Sequence, residues 1–177
     1  MYTYTYTPPQ DKRTSGAVSI TLLIVGFIAL AVGELHGPRM ICQLICAVML
    51  VGGIYIMSKY ALTSYRYILS PLDDLHNTND LVVEQIQGSR RKVVCSLELS
   101  NTVAFVPKTA SISELSKTHG HISRSFSYCP SLLSDERYVY IFEFNGEQHA
   151  VILQCGEDFV REFRARIEVS DVGESDN

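Results

Sequence analysis

Two long apolar runs near the N-terminus, followed by alternating polar and apolar positions, divide the chain into a membrane part and a sheet-forming part. The runs are Ala17–Val32 and Met40–Met57, and neither contains a charged side chain. A helix that crosses a hydrocarbon core of roughly 30 Å needs about 20 apolar residues, with about 17 at the low end. The pattern therefore predicts a transmembrane helical hairpin over residues 16–58, with spans at about 17–33 and 40–57.

Beyond residue 59 the apolar positions alternate with polar ones, which is the period of a half-buried strand. The dipeptide Asn145-Gly146 favours a type I′ hairpin turn, because both of its central residues need positive φ. This turn predicts that Tyr140 pairs with Val151 and Ile141 with Ala150. In the Arg90–Leu99 segment, Val93, Cys95, Leu97 and Leu99 would share an apolar face. Strands are predicted at seven places: 64–69, 81–87, 90–99, 102–106, 122–129, 137–144 and 148–154.

The period changes again near the C-terminus, where Glu157–Glu168 carries a helical apolar stripe that includes Phe159 and Phe163. We expect this helix to complete a domain over residues 59–169, and the acidic segment 170–177 to be disordered. Between the fourth and fifth strands, Lys108–His121 is expected to be a polar loop with one helical turn at Ile112–Ser116.

The first ten residues, MYTYTYTPPQ, alternate Tyr and Thr and end in two prolines. We interpret residues 1–15 as a mobile N-terminal tail. The alternative interpretation is an edge strand that adds to a sheet, either in this chain or in a partner.

Charged residues at the ends of the spans predict how the hairpin lies in the cell membrane. Cationic side chains are concentrated before the first span and after the second, whereas the link between the spans has Arg39 together with Glu34. By the positive-inside rule, both termini would be cytoplasmic. An alternative is that the first span is a signal peptide cleaved after Ala29-Leu30-Ala31. The flanking cations are Lys12, Arg13, Lys59 and Arg66, and the tyrosines expected at the inner headgroup level are Tyr55, Tyr60, Tyr65 and Tyr67.

Composition narrows the possible partners and chemistry. A net charge of −4 argues against nucleic acid, since binding phosphates needs a clustered basic surface. The five cysteines form no C-x-x-C motif and no regular spacing, which suits a reducing compartment. Small residues could let the two spans approach closely. They are Gly26, Ala29 and Gly33 in the first span, and Ala47, Gly52 and Gly53 in the second.

Seven strands followed by one amphipathic helix resemble the element order of a pleckstrin-homology (PH) domain. With two spans ahead of it, the chain resembles small bacterial membrane proteins that carry a PH-like domain, and Tyr65–Val106 is similar to segments of uncharacterised clostridial-type membrane proteins. The resemblance implies an α+β membrane protein in which a seven-stranded β-barrel is capped by the C-terminal helix. Phosphoinositide-binding PH domains place Lys or Arg around the first inter-strand loop, but Ser70–Asp80 has neither and contains Asp73 and Asp74.

Three functions follow as hypotheses. We prefer a membrane-anchored, non-enzymatic module whose cytoplasmic domain binds a protein partner or the membrane surface, without a cofactor. Its contact site would be Arg90, Arg91 and Lys92, the densest basic run in the chain. The second hypothesis is a small metal-binding protein or enzyme that uses His119, His121 and Cys129. The third is a structural subunit of a larger membrane complex.

Overall fold

The structure, a computed structural model, describes residues 3–35, 39–70, 80–109, 111–134 and 136–174. The chain separates into two compact units. The helical unit comprises Pro9–Ser64 together with Pro130–Leu133. The sheet unit comprises Met1–Pro8, Tyr65–Cys129 and Ser134–Asn177. Gly37 and Pro38 in the link between the spans, and Asp73 and Asp74 in the first inter-strand loop, lie outside the described residues.

Both apolar runs form helices. Helix α1 spans Lys12–Leu35, helix α2 spans Arg39–Ile56, and a π-helical turn continues α2 over Met57–Ala61. Their apolar stretches have mean hydropathies of 2.4 and 2.3, and only 17% and 11% of the residues in those stretches are buried. A core helix of a soluble protein would be mostly buried, so the exposure, length and composition are those of helices that could cross a membrane.

The two helices pack through small residues. Ser19 Oγ donates a hydrogen bond of 2.7 Å to the carbonyl oxygen of Gly53. A Cβ atom added at Gly26 would lie 3.2 Å from Met49 Cβ, and one added at Gly33 would collide with Cys42. The predicted close approach is therefore confirmed at Gly26, Gly33 and Gly53. The side chain of Ala47 is exposed and Gly52 faces open space, so these two residues lie off the interface.

The base of the hairpin is held by polar contacts. Asp11 caps helix α1 by accepting a hydrogen bond of 3.0 Å from the backbone N–H of Thr14. Hydrogen bonds from the Thr14 side chain and from its backbone N–H lower the pKa of the Asp11 carboxyl group. Gln10 Nε2 donates to the carbonyl oxygens of Tyr60 at 2.6 Å and Thr63 at 2.9 Å. The chain just before α1 is therefore joined to the end of the π-helical turn.

Two of the four tyrosines predicted to anchor the headgroup region lie elsewhere. The ammonium group of Lys59 lies over the rings of Tyr55 and Tyr60, at 5.7 and 5.3 Å from their centroids. Tyr65 and Tyr67, by contrast, are buried in the core of the sheet unit. The prediction is wrong for this second pair, because the chain becomes a strand at Thr63 and its odd-numbered residues then face inward.

Eight strands are described, in two four-stranded sheets. The first sheet has the order β1-β2-β3-β4 and the second has the order β5-β7-β8-β6. Strands β2 to β8 fall close to the seven predicted positions. The bounds are β1 Tyr4–Tyr6, β2 Thr63–Leu69, β3 Leu81–Gln87, β4 Arg90–Leu97, β5 Thr102–Pro107, β6 Ile122–Ser127, β7 Arg137–Phe144 and β8 Glu147–Gln154.

Two predictions about the sheets need correction. The sheets do not close into a barrel, because β4 and β6 each remain an edge strand. The N-terminal segment is not a mobile tail over Tyr4–Tyr6, since β1 pairs antiparallel with β2, with Tyr4 opposite Leu69 and Tyr6 opposite Tyr67. The alternative interpretation, an edge strand, is therefore confirmed. Residues from both ends of the helical hairpin thus meet in one sheet.

The predicted β7–β8 hairpin is confirmed in turn and register. Asn145 and Gly146 have φ angles of +54° and +78°, as a type I′ turn requires. Tyr140 pairs with Val151, and Ile141 pairs with Ala150. Strand β6 then runs parallel to β8 and forms the far edge of the second sheet.

The main core lies between the two sheets and the C-terminal helix α4, Glu157–Glu174. Phe159 on this helix contacts the first sheet, with its ring centroid 5.6 Å from that of Tyr67. Phe163, one turn later, contacts the second sheet, 4.6 Å from Phe105 and 5.3 Å from Tyr140. The predicted apolar stripe therefore joins both sheets to one helix.

Helix α4 extends beyond the predicted end at Glu168, so residues up to Glu174 are helical where we expected disorder. Arg166, on its buried side, is fully buried. Its guanidinium donates to the carbonyl oxygen of Ser70 and to Glu162 Oε1, the latter at 3.0 Å. The hydrogen bond to Ser70 links helix α4 to the residue that follows β2.

A further helix, α3, covers the opposite face of the second sheet. It spans Ile112–His119, and Ile112 and Leu115 pack on the cluster around Val139 and Ile152. The predicted single turn is thus a complete short helix. It begins with a capping box, in which Ser111 and Glu114 bond each other's backbone N–H groups.

Candidate binding groove

An open groove of about 750 Å³ lies in the sheet unit where the two sheets diverge. The two sheets do not close into a barrel, and one edge strand of each sheet lines the groove: β4 of the first sheet and β6 of the second. Strands β7 and β8 provide most of the remaining surface, together with Asn101 and the turn residue Asn145. The groove therefore exposes part of the inner face of the second sheet.

Strand β4 borders the groove with its backbone as well as with its side chains. Five consecutive residues line the groove, from Val94 to Glu98. Among the described strands β4 pairs with β3 alone, so the backbone groups along its other edge have no strand partner. At one end this edge is already used, because the hydroxyl of Tyr128 donates to the Val94 carbonyl oxygen at 3.2 Å.

A bulge in β4 explains why its apolar residues depart from the predicted pattern. The pairing with β3 shifts register between Val83 and Glu84, so that Glu84 pairs with Val93 and Val83 with Cys95. Val94 and Cys95 both pack against the main core, although they are neighbours in sequence. Val93, predicted to face inward, is 52% exposed.

Aromatic side chains make up the apolar wall of the groove. Phe126 on β6 and Phe144 on β7 are 43% and 58% exposed, while Phe142 is buried beneath them. The His149 ring lies near both Phe142 and Phe144, with its centroid 5.7 Å and 6.4 Å from theirs. Large exposed rings gathered in one concave surface are typical of a binding site.

The polar rim of the groove is mainly acidic. Glu98, Glu143 and Glu147 line it together with one cation, Arg124. The groove also contains His149 Nδ1, which is buried and has no hydrogen-bond partner among the described residues. A ligand with a cationic group and hydrogen-bonding groups would complement this lining.

Cys95 is the only cysteine among the residues that line the groove, and it does not have the properties of a nucleophile. Burial raises the pKa of its thiol to about 11, although the hydrogen bond with Tyr128 acts in the opposite direction. Burial also raises the pKa of the Tyr128 hydroxyl to about 12. Both groups therefore stay neutral at physiological pH, and they act as hydrogen-bonding parts of the wall.

The predicted contact residues Arg90, Arg91 and Lys92 are exposed and begin β4, directly after the turn at Gly88 and Ser89. That turn is the predicted two-residue hairpin, with Gln87 paired to Arg90. The three cations are not among the residues that line the groove. Their role at a membrane or partner surface stays a prediction.

The proposed metal ligands do not form a site. The described residues contain no group of three or more His, Cys, Asp or Glu side chains that could hold a metal ion, and His119, His121 and Cys129 are all described. His119 ends helix α3, and His121 is exposed. Cys129 is buried, and its thiol donates a hydrogen bond of 3.7 Å to the carbonyl oxygen of Ile152. The described residues therefore give the metal-binding hypothesis no geometric support.

The groove itself was missed by the sequence interpretation. One signal was present in the sequence: Phe126 and Phe144 each stand between two polar residues, and neither belongs to a core cluster. Which strands would remain edges depends on pairings between distant segments. Periodicity and residue spacing therefore could not predict that β4 and β6 line the same groove.

Comparison with protein families gives one match. The family described as a bacterial PH-like domain (DUF6106) matches residues 9–170, which include both apolar helices and almost all of the sheet unit. The chain belongs to this family. No curated protein and no solved structure matches it significantly. The family assignment agrees with the resemblance to small bacterial proteins that combine two spans with a PH-like domain.

Proposed function

We propose that this protein is a membrane-anchored binding module whose PH-like domain holds an extended segment of a protein partner in the groove. The observation that carries the proposal is the exposed edge of β4, which lies beside an aromatic wall in one concave surface. An extended segment could add to that edge through its backbone, while alternate side chains contact Phe126 and Phe144. The acidic rim favours a segment that carries Lys or Arg.

A protein segment fits this groove better than an anionic lipid headgroup does. Headgroup recognition needs clustered cations, whereas the rim holds Glu98, Glu143 and Glu147 against Arg124. The exposed cations Arg90, Arg91 and Lys92 supply a separate surface for the second candidate, contact with an anionic membrane. Each cation near an anionic leaflet contributes roughly 1 kcal/mol, which would orient a tethered domain and scarcely recruit a free one.

Binding in the groove can be tested with synthetic peptides and the full chain in detergent micelles. The probe is a short peptide that alternates leucine and threonine and ends in lysines. We expect Phe126→Ser and Phe144→Ser each to weaken its binding about tenfold, a loss of roughly 1.4 kcal/mol from a partly buried ring. The matched control is Val103→Ser, because Val103 is 39% exposed and does not line the groove.

Two altered peptides sharpen the peptide test. Replacing the lysines by glutamates should weaken binding because of the acidic rim, and a central proline should abolish it by removing a backbone donor. Equal losses for the groove variants and for Val103→Ser would contradict the proposal. So would equal binding of the lysine and proline peptides.

We also propose that the hairpin spans the cell membrane with both termini in the cytoplasm. Two observations support this orientation. The ends of the hairpin that lie away from the link carry three cations, Lys12, Arg13 and Lys59. The link has one cation, Arg39, which forms an ion pair of 2.5 Å with Glu34. The pairing of β1 with β2 further requires the chain before α1 and after α2 to be on one side.

A reporter enzyme that is active only outside the cytoplasm tests this orientation. Fused after Asn177, it is expected to stay inactive; inserted in the link between Glu34 and Arg39, it is expected to be active. Activity at the C-terminus would overturn the proposed orientation, and inactivity at both positions would overturn membrane insertion. The positive control is the same reporter behind a known secretion signal.

A further inference from the structure

The short segment Pro130–Leu133, between β6 and β7, belongs to the helical unit although its sequence neighbours belong to the sheet unit. Ser131 in this segment is 3% exposed. Its Oγ donates to the carbonyl oxygen of Pro9 at 3.0 Å and accepts from the backbone N–H of Asp11 at 3.2 Å. The segment is thus attached at the start of helix α1.

Leu133, two residues further on, has a side chain that is 72% exposed. In water this exposure is unfavourable, since burying a leucine side chain contributes about 1.5–3 kcal/mol. Leu133 does not line the groove and does not belong to either core cluster. The residue is therefore an apolar side chain presented at the base of the helical hairpin.

The attachment lets this leucine reach the membrane interface when α1 spans the membrane. Asp11 precedes the apolar run at Ala17 by six residues, or about 9 Å along a helix. The polar layer on each side of the hydrocarbon core is roughly 5–8 Å thick. Two residues of extended chain reach about 7 Å, so Leu133 can pass from the level of Asp11 into the polar layer, close to the hydrocarbon boundary.

We propose that Leu133 inserts into the membrane interface and forms a third membrane contact beside the two helices. The ligand is the lipid interface itself, in the region where headgroups meet acyl chains. This contact is apolar, so its strength does not depend on anionic lipids. The inference rests on the proposed membrane insertion of the hairpin.

The absence of tryptophan from the chain makes a direct test possible. Leu133→Trp introduces a single tryptophan, in full-length protein reconstituted into phosphatidylcholine vesicles with brominated acyl chains. We expect blue-shifted emission that is quenched by the bromines and resistant to acrylamide in the water. Adding anionic phosphatidylglycerol should leave this quenching unchanged.

Two further variants separate the possible failures. Ile20→Trp reports on helix α1, where the side chain is 56% exposed, and its emission should be quenched by the bromines if α1 lies in the membrane. If Ile20→Trp is quenched but Leu133→Trp is quenched only by acrylamide, the interfacial contact is overturned while the membrane anchor stands. If Ile20→Trp is not quenched by the bromines, the proposed membrane insertion fails, and the interfacial contact fails with it.

A double variant tests whether Ser131 holds the segment at the membrane interface. In the double variant Ser131→Ala/Leu133→Trp, the Pro9 carbonyl and the Asp11 N–H lose their shared partner. We expect weaker quenching by the bromines and stronger quenching by acrylamide than in Leu133→Trp alone. Unchanged quenching would show that the two hydrogen bonds do not hold the segment at the interface, and would overturn this part of the inference.

Discussion

Replacing Phe163 by alanine is expected to lower the free energy of unfolding of the sheet unit by about 3–5 kcal/mol. The ring is fully buried on helix α4. It lies edge-on to Phe105 and Tyr140 and stacks with Phe159, whose centroid is 5.6 Å away. Its removal would leave a cavity at the point where the helix meets the second sheet.

The measurement is a urea titration of the full chain in detergent. Unfolding of the sheet unit is detected at each urea concentration by its susceptibility to a protease. Phe144→Ala is the matched control, because it deletes the same atoms from a ring that is 58% exposed. We expect it to cost less than about 1 kcal/mol. Small domains have a total stability of about 5–15 kcal/mol, so the Phe163 variant should lose a large part of it. Equal losses in the two variants would mean that α4 does not complete the core.

The second large effect is expected on deletion of residues 2–7, which contain strand β1. We expect a loss of about 3–5 kcal/mol, as for the removal of a large core side chain. Tyr6 lies 5.2 Å from Phe159 between ring centroids, and its hydroxyl accepts a hydrogen bond of 2.9 Å from the Gly156 N–H. The Tyr4 ring is 6.2 Å from Phe159. Without β1, the edge of β2 and part of the aromatic core would be exposed to water.

Point variants in β1 give the matched comparison for the deletion. Tyr6→Ala should account for most of the loss, whereas Thr5→Ala, on the exposed face of the same strand, should change stability by less than about 0.5 kcal/mol. The same urea titration measures all three variants. If the deletion and Thr5→Ala have the same small effect, β1 is not a structural part of the sheet.

Strand β1 also bears on whether the first span is cleaved. Cleavage after Ala31 would remove β1 together with α1, and the first sheet would lose an edge strand. The stability loss expected for the deletion would then apply to the mature protein. We therefore expect mass spectrometry of protein from native membranes to find Tyr4 and Tyr6 still attached. This expectation opposes the signal-peptide alternative.

The sequence by itself determined the features that depend on local pattern. The apolar runs determined where the two helices lie, because an uncharged stretch of that length has one stable conformation in lipid. Alternation located strands β2 to β8, and Asn145-Gly146 determined the register of β7 with β8, since few residues adopt positive φ at both turn positions. The period of Phe159 and Phe163 likewise predicted the buried face of α4.

Only the tertiary structure decided the features that depend on pairing between distant segments. Tyr4–Tyr6 is too short to be distinguished from a tail until β2, more than fifty residues later, supplies its hydrogen-bonding partner. The burial of Arg166 depends likewise on the Ser70 carbonyl, far from it in sequence. The groove exists because β4 and β6 are left as edges, and an edge is defined by the partner that a strand lacks. Such pairings depend on the whole chain, and no local period encodes them.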